Sequence, residues 1–143
     1  MQTVAFGGEK QERLEIAVLG YERQATGDYH DDNWLSVEVS IQAGSFRGRF
    51  QAAFLTTELE AFRDELKVLL DTLQGQAEFR TLEEQLTLTL QGNGLGHIQL
   101  RGKALDQAGI GNRLEFAMSL NQTQLQSSVR SLEAASNAYP VRT

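Results

Sequence analysis

Phe54-Leu55-Thr56-Thr57-Glu58-Leu59-Glu60-Ala61-Phe62-Arg63-Asp64-Glu65-Leu66 is the stretch in which a strand-like run turns into the most strongly specified helix of the chain. Thr57 followed by Glu60 reads as a capping box, in which the threonine oxygen accepts a first-turn amide and the glutamate reaches back to the threonine N–H. Leu59, Phe62, Leu66, Leu69, Leu70 and Leu73 then recur at three- and four-residue spacing and form one apolar stripe. The pattern predicts a helix over about residues 58–74, ended by Gly75 as a left-handed C′ residue. Such a stripe must be buried, and everything on either side of it reads as β. The strands therefore have to supply its covering surface.

Working upstream, Phe46 to Phe54 sets Phe46, Phe50, Ala52 and Phe54 on one face and Arg47, Arg49 and Gln51 on the other. Gly48 sits among the phenylalanines, where a missing side chain marks a bend, and the sheet is expected to curl there to receive the helix. Ala43-Gly44-Ser45 is the turn of a hairpin whose other arm, Trp34 to Ala43, has the cleanest period-two pattern in the chain. Before it, residues 23–33 form a polar surface loop, and residues 14–22, with Leu14, Ile16 and Val18 alternating, form the first strand. Downstream of the helix, strands are expected at 77–82 and 85–91, then a turn at Gly92-Asn93-Gly94-Leu95-Gly96, a strand over 97–105, a longer mobile loop over 106–112 and a strand over 113–121. Leu125, Val129, Leu132 and Ser136 predict a terminal amphipathic helix over 124–138, before Pro140.

The fold class is α+β. A curved, mainly antiparallel β-sheet of about seven strands is expected to wrap over one long central helix, with a short C-terminal helix, as a single domain of residues 1–143. No internal repeat stands out.

Composition removes several functions. The chain has 13 Lys and Arg against 19 Asp and Glu, for a net charge of −6 and a pI near 4.9, so phosphate backbones are repelled on average. Direct nucleic-acid binding is not expected. An acidic surface does suit a basic protein partner. With no cysteine there is no disulfide framework and no thiolate metal site. The amino terminus lacks a basic n-region, no apolar run approaches the length of a membrane span, and the expected location is cytoplasmic.

The candidates for chemistry each have a plainer explanation. Asp28, His30, Asp31 and Asp32 offer carboxylate and imidazole ligands, but not at the spacing of an EF-hand loop, so a solvated acidic loop is preferred to a metal site. Gly92 to Gly96 precedes a strand instead of opening a helix, which removes the phosphate-loop reading. Gly44-Ser45-Phe46-Arg47-Gly48 lacks the central serine of a nucleophile elbow. Phe46-Arg47-Gly48-Arg49-Phe50 mixes basic and aromatic residues as single-strand stacking platforms do, yet alternation sends the two kinds to opposite faces, so a core strand is preferred. Trp34 is read as a packing residue before an exposed hot spot. His30 and His97 both sit in or beside turns. No catalytic residue, cofactor or metal is assigned, and an enzyme is not expected.

Two segments together, Asp28-Tyr29-His30-Asp31-Asp32-Asn33-Trp34-Leu35 with its following strand and Leu55-Thr56-Thr57-Glu58-Leu59 opening a helix, resemble the WapI family of bacterial immunity proteins over about residues 14–75. Family members show an acidic-aromatic loop ending in Asn-Trp-Leu and a Leu-Thr-x-Glu-Leu helix start. The resemblance implies a non-catalytic cytosolic protein that neutralises a cognate toxin by binding it, a basic nuclease being the kind of toxin that the charge fits. Asp28, Tyr29, His30, Asp31, Asp32 and Trp34 are then the expected partner-binding residues, and replacing Asp31 or Asp32 should leave folding intact. The alternative is a structural or regulatory homo-oligomer, a homodimer for instance, that associates through a sheet edge or the terminal helix.

Overall fold

The computed structural model describes residues 1–8 and 12–143. Its elements run β1 (Gln2–Gly7), β2 (Glu12–Tyr21), α1 (Tyr29–Asp32), β3 (Trp34–Ala43), β4 (Phe46–Leu55), α2 (Thr56–Thr72), β5 (Gln74–Phe79), β6 (Leu86–Asn93), β7 (His97–Leu105), β8 (Arg113–Asn121) and α3 (Gln122–Ala138). The class is α+β as the pattern predicts, but the strands divide into two antiparallel sheets of four, ordered β1-β2-β3-β4 and β5-β6-β7-β8. The single curved sheet of about seven strands is thus corrected. The unforeseen strand is β1, which contributes only Val4 and Phe6 to the core and so carries too short an alternation to stand out.

Both sheets obey the two-residue period. Leu35, Val37, Val39 and Ile41 of β3 are buried while Ser36, Glu38 and Ser40 are not, and Leu86, Leu88 and Leu90 of β6 do the same. The buried faces and both long helices join in one apolar cluster. Phe62 of α2 is central to it, with ring centroids 6.0 Å from Phe6 of β1 and 4.9 Å from Phe79 of β5, and Phe79 lies 5.1 Å from Phe54 of β4. Four elements of both halves therefore meet at these rings.

The helices do not lie under a curled sheet. Each runs beside the first strand of the other half and bonds to part of its free edge. From α2, the Glu65 carboxylate accepts the Glu78 N–H at 3.1 Å and Glu58 accepts the Leu82 N–H at 2.6 Å. From α3, Ser131 Oγ accepts the Ala5 N–H at 3.3 Å and Ser128 Oγ donates to the Ala5 carbonyl at 2.7 Å. An edge strand left with bare backbone groups invites pairing with other chains, and the helices lying alongside obstruct that, with bonds at Ala5 of β1, at Glu78 of β5 and at Leu82 just beyond it. The bend expected at Gly48 is not used this way, since a methyl placed there would meet open space.

The caps differ from the expectation too. Glu58, not Glu60, closes the start of α2 by accepting the Leu55 N–H at 2.7 Å, and Thr56, not Thr57, makes the side-chain bond described below. The helix ends on Leu73 in the left-handed conformation (φ 59°), two residues before the expected glycine. The start of α3 is a reciprocal box: Asn121 Oδ1 accepts the Gln124 N–H at 2.8 Å and Gln124 Oε1 accepts the Asn121 N–H at 2.9 Å.

An internal repeat is present after all, as four strands and a helix, twice. Glu58 and Gln124 hold the same helix position and close on the residue before their helix. Thr57-Glu58-Leu59 and Thr123-Gln124-Leu125 are its trace in the sequence, too short to register without the topology.

Candidate functional site

The two halves differ most between their second and third strands. In the second half β6 and β7 are joined by a turn closed on the Asn93 side chain, which accepts the Leu95 N–H at 2.8 Å and the His97 N–H at 3.2 Å. In the first half β2 and β3 are separated by Glu22–Asn33, the acidic loop. Asp28 starts α1 within it as an N-cap, accepting the His30 N–H at 3.0 Å and the Asp31 N–H at 3.2 Å. A carboxylate here is used by the backbone, which is what short polar side chains in turns do.

Asp32 is buried, and its two oxygens accept the Thr26 N–H at 2.9 Å, the Thr26 hydroxyl at 3.1 Å and the Gly27 N–H at 2.8 Å. The Thr26 amide, above all, holds this carboxyl below the usual carboxylate range; burial opposes it, and the Gly27 amide, the Thr26 hydroxyl and the Arg142 charge add to the lowering. The expectation that Asp32 is dispensable for folding is corrected, because its loss would leave three donors of the loop unsatisfied.

Asn33 is 2% exposed and does the same for three separate parts of the chain. Its amide donates to the Tyr29 carbonyl at 2.6 Å and the Arg142 carbonyl at 3.0 Å, while its oxygen accepts the Thr56 hydroxyl at 2.7 Å and the Arg142 N–H at 2.8 Å. The Thr56 N–H adds a bond of 2.9 Å to the Asn33 carbonyl. Loop, helix start and C-terminal tail are thereby tied together. Arg142 completes the junction with its guanidinium 3.5 Å above the Tyr21 ring and a bond to the Arg23 carbonyl at 3.0 Å. Of these, sequence reading had Asn33 and Thr56 only as parts of quoted motifs and missed Tyr21 and Arg142, whose role depends on the tail folding back.

What the junction presents to solvent is a small acidic and aromatic tip. Tyr29 is 47% exposed with its ring edge-on to His30, Asp28 and His30 are exposed, and Asp31 lies 3.4 Å from Arg23 in a solvated pair. Trp34 is half-buried at the first position of β3, opposite Leu55. The residues singled out from sequence therefore separate into a tip (Asp28, Tyr29, His30, Asp31), a half-covered Trp34 and an anchor (Asp32). Among the described residues, no three His, Asp or Glu side chains stand together in a way that could hold a metal ion. A dish of about 440 Å³ lies on the outer face of the first sheet, between Arg13, Glu15, Ser40 and Arg47.

The geometry defines a class: an α+β protein of two four-stranded antiparallel sheets, each followed by a helix, with a pinned acidic loop in the first half. The same fold is found in the crystal structure of WHY1 from Arabidopsis thaliana, with a TM-score of 0.52 at 11% identity over 99% of this chain and 86% of that one. WHY3 from Arabidopsis thaliana matches at 13% identity with a TM-score of 0.47, over 92% of this chain and 85% of that one. No curated protein matches the chain. The Immunity protein WapI-like family model matches residues 5–140, and the chain belongs to that family. Both halves fall inside the match, so the likeness extends well past the first-half motifs.

Proposed function

We propose that this protein is a non-catalytic immunity protein that neutralises a cognate protein toxin in the cytoplasm by binding it. Family membership over residues 5–140 is the observation that carries the reading. Among the described residues no helix is long and apolar enough to cross a membrane, which is compatible with action in solution.

The contact surface is the tip of the loop, Asp28, Tyr29, His30 and Asp31, with Trp34 beside it. Tyr29 supplies an amphipathic ring of the kind enriched at binding hot spots, and the carboxylates of Asp28 and Asp31 steer a basic partner, of which a nuclease toxin is one example. Asp32 contributes by holding the tip in place. A loop fixed in its bound shape before the encounter loses little conformational freedom on binding, which favours affinity.

The test is co-expression with the toxin encoded beside this gene. Protection by the unaltered chain, and its loss in Tyr29→Ala with Asp31→Lys while the circular dichroism spectrum is unchanged, is the expected result. Unabated killing in the presence of the unaltered, folded chain overturns the immunity reading, and full protection by the double variant removes the loop tip from the interface.

A further inference from the structure

The strand edges are not treated alike. β1 and β5 are closed by α3 and α2, whereas β4 borders no further strand. The side-chain amide of Gln85, just before the second half's β6, donates to the Gln51 carbonyl at 3.3 Å, so the odd-numbered residues of β4 are those turning their backbone away from β3. Among the described residues, the backbone N–H and C=O groups of Arg47 and Arg49 find no partner. A free edge two residues long on either side of a glycine is thus left where the hairpin extends past the core.

That edge borders a cleft of about 250 Å³ between the β3–β4 hairpin and the β7–β8 hairpin. Its apolar lining comes from Ile41, Phe46, Phe50, Ala104 and Leu114. Phe46 is 67% exposed and Phe50 half-buried, which corrects the reading of the whole Phe46–Phe54 face as core: Phe54 is buried, and the hairpin's far end is not. Gly48, between the two rings, leaves room above the strand. Chemistry alternates along the strand, apolar at Phe46 and Phe50 and cationic at the exposed Arg47 and Arg49, which also border the cleft along with Asp106, Asn112 and Arg113. Arg49 is only loosely engaged, 3.6 Å from Glu38 and 74% exposed, and Arg47 has no partner among the described residues. In a chain of net charge −6 the cleft carries three arginines, Arg47, Arg49 and Arg113, against one carboxylate, Asp106, a local excess of positive charge.

We propose that the free edge of β4 at Arg47–Arg49 is a strand-addition site for an extended segment of a protein partner, in which acidic and apolar side chains alternate. The segment's backbone pairs with the open groups of Arg47 and Arg49, its apolar side chains enter the cleft beside Phe46 and Phe50, and its carboxylates meet the two guanidinium groups. Period-two alternation on both strands makes one register satisfy all three at once. A single-stranded nucleic acid uses the rings and the arginines but leaves the backbone donors and acceptors unpaired, and the net charge opposes it. A second copy pairing β4 with β4 brings the cationic residues of the two strands onto one face, where like charges repel. This surface is separate from the 28–34 loop and its partner need not be the toxin.

The probe is a short blocked peptide alternating glutamate with valine and phenylalanine, with a scrambled peptide of the same composition as control. The expected result is binding of the alternating peptide by fluorescence anisotropy, with amide signals of Arg47 and Arg49 slowed in hydrogen exchange and those of Tyr29 and Asp31 unmoved. Arg47→Glu with Arg49→Glu should weaken it by about tenfold or more. Arg49→Pro removes an outward N–H that the sheet does not use and should abolish binding with circular dichroism unchanged; where proline disturbs the hairpin, the charge-reversed variant decides. Equal binding of the scrambled peptide, or of an alternating lysine peptide, overturns the proposal. So does binding that survives either variant, competition by oligothymidylate at the same residues, or light scattering that finds a dimer protecting Arg47 and Arg49. No toxin enters this experiment, so its failure and the failure of the immunity reading are told apart.

Discussion

The two halves of the molecule build the same architecture with different chemistry. Where the first half closes the edge of the second with the carboxylates of Glu58 and Glu65, the second closes the edge of the first with the hydroxyls of Ser128 and Ser131. Where the second joins its middle strands by a turn on Asn93, the first inserts a loop anchored on Asp32 and Asn33. Topology accepts either solution, because an open edge needs only a donor or acceptor at the right place. What differs is what each solution makes the protein respond to. The half with carboxylates and a long loop carries Asp32 and Glu58, whose carboxyls the fold shifts, and the exposed acidic tip, while its counterpart closes that half's edge with groups that do not titrate.

The equivalence is tested most severely in the helices. Leu66 of α2 and Leu132 of α3 hold the same helix position and are 0% and 1% exposed. Truncating either to alanine should cost about 2–5 kcal/mol in urea unfolding. A cost for Leu132→Ala below about 1 kcal/mol, beside a full cost for Leu66→Ala, would show that only α2 is built into the core as the repeat implies. Next in size is the contrast between the connections. Asn33→Ala strands the buried partners of a side chain that holds loop, helix and tail, and should cost about 1–3 kcal/mol. Asn93→Ala, at an exposed turn, should cost less than about 1 kcal/mol, since water replaces its bonds. Equal losses would mean that the junction at Arg142 contributes little to the fold.

The acids sharpen the contrast through pH. Burial pushes the Glu58 carboxyl up, with nearby Glu83 adding to the rise and the Leu55 and Leu82 amides pulling against it. A carboxyl raised by folding makes stability fall as pH climbs from its ordinary value through the raised one. Asp32, held low by the Thr26 and Gly27 amides, has the opposite sign: its contribution is complete above the ordinary carboxylate value and is lost as pH drops through the lowered one. Urea midpoints followed from about pH 3 to 7 should therefore lose part of their mildly acidic decline in Glu58→Gln and part of their low-pH drop in Asp32→Asn. Ser128 and Ser131 do not titrate there, so Ser131→Ala should shift the whole curve without changing its shape.

Most elements were legible because long alternations have one reading. Residues 34–43 and 113–121 match β3 and β8 end for end, and the terminal helix begins two residues before its expected start. β1 was not legible, having two core residues and no stripe, and without it a seven-stranded sheet over a helix was the natural arrangement. The capping residue of α2 was misplaced because Thr56-Thr57-Glu58-Leu59-Glu60 offers two threonines and two glutamates at compatible spacing; the choice falls to Asn33, which takes the Thr56 hydroxyl from a distance no local rule sees. The acidic loop could be found but not divided. Sequence places Asp31 and Asp32 side by side, and only the chain's return to Thr26 and Gly27 makes one of them structural.

That division yields the smallest effect on stability and the most informative one on function. Tyr29 and Asp31 lie at the tip, where the ion pair of Arg23 with Asp31 at 3.4 Å is solvated on both sides. Exposed pairs of this kind contribute at most about 1 kcal/mol, and surface substitutions away from packing usually stay within about 0.5 kcal/mol. Tyr29→Ala and Asp31→Ala should therefore leave the urea midpoint almost unchanged while weakening capture of the toxin. Asp32→Asn reaches the same loss of capture by another route, through a destabilised chain whose tip is no longer held. Measuring unfolding and toxin binding on the same three variants separates the two routes: a tip residue moves binding alone, and an anchor moves both. Were Asp31→Ala to destabilise the fold as much as Asp32→Asn does, the acidic loop would be one structural unit, and the contact surface would have to be sought elsewhere on the molecule.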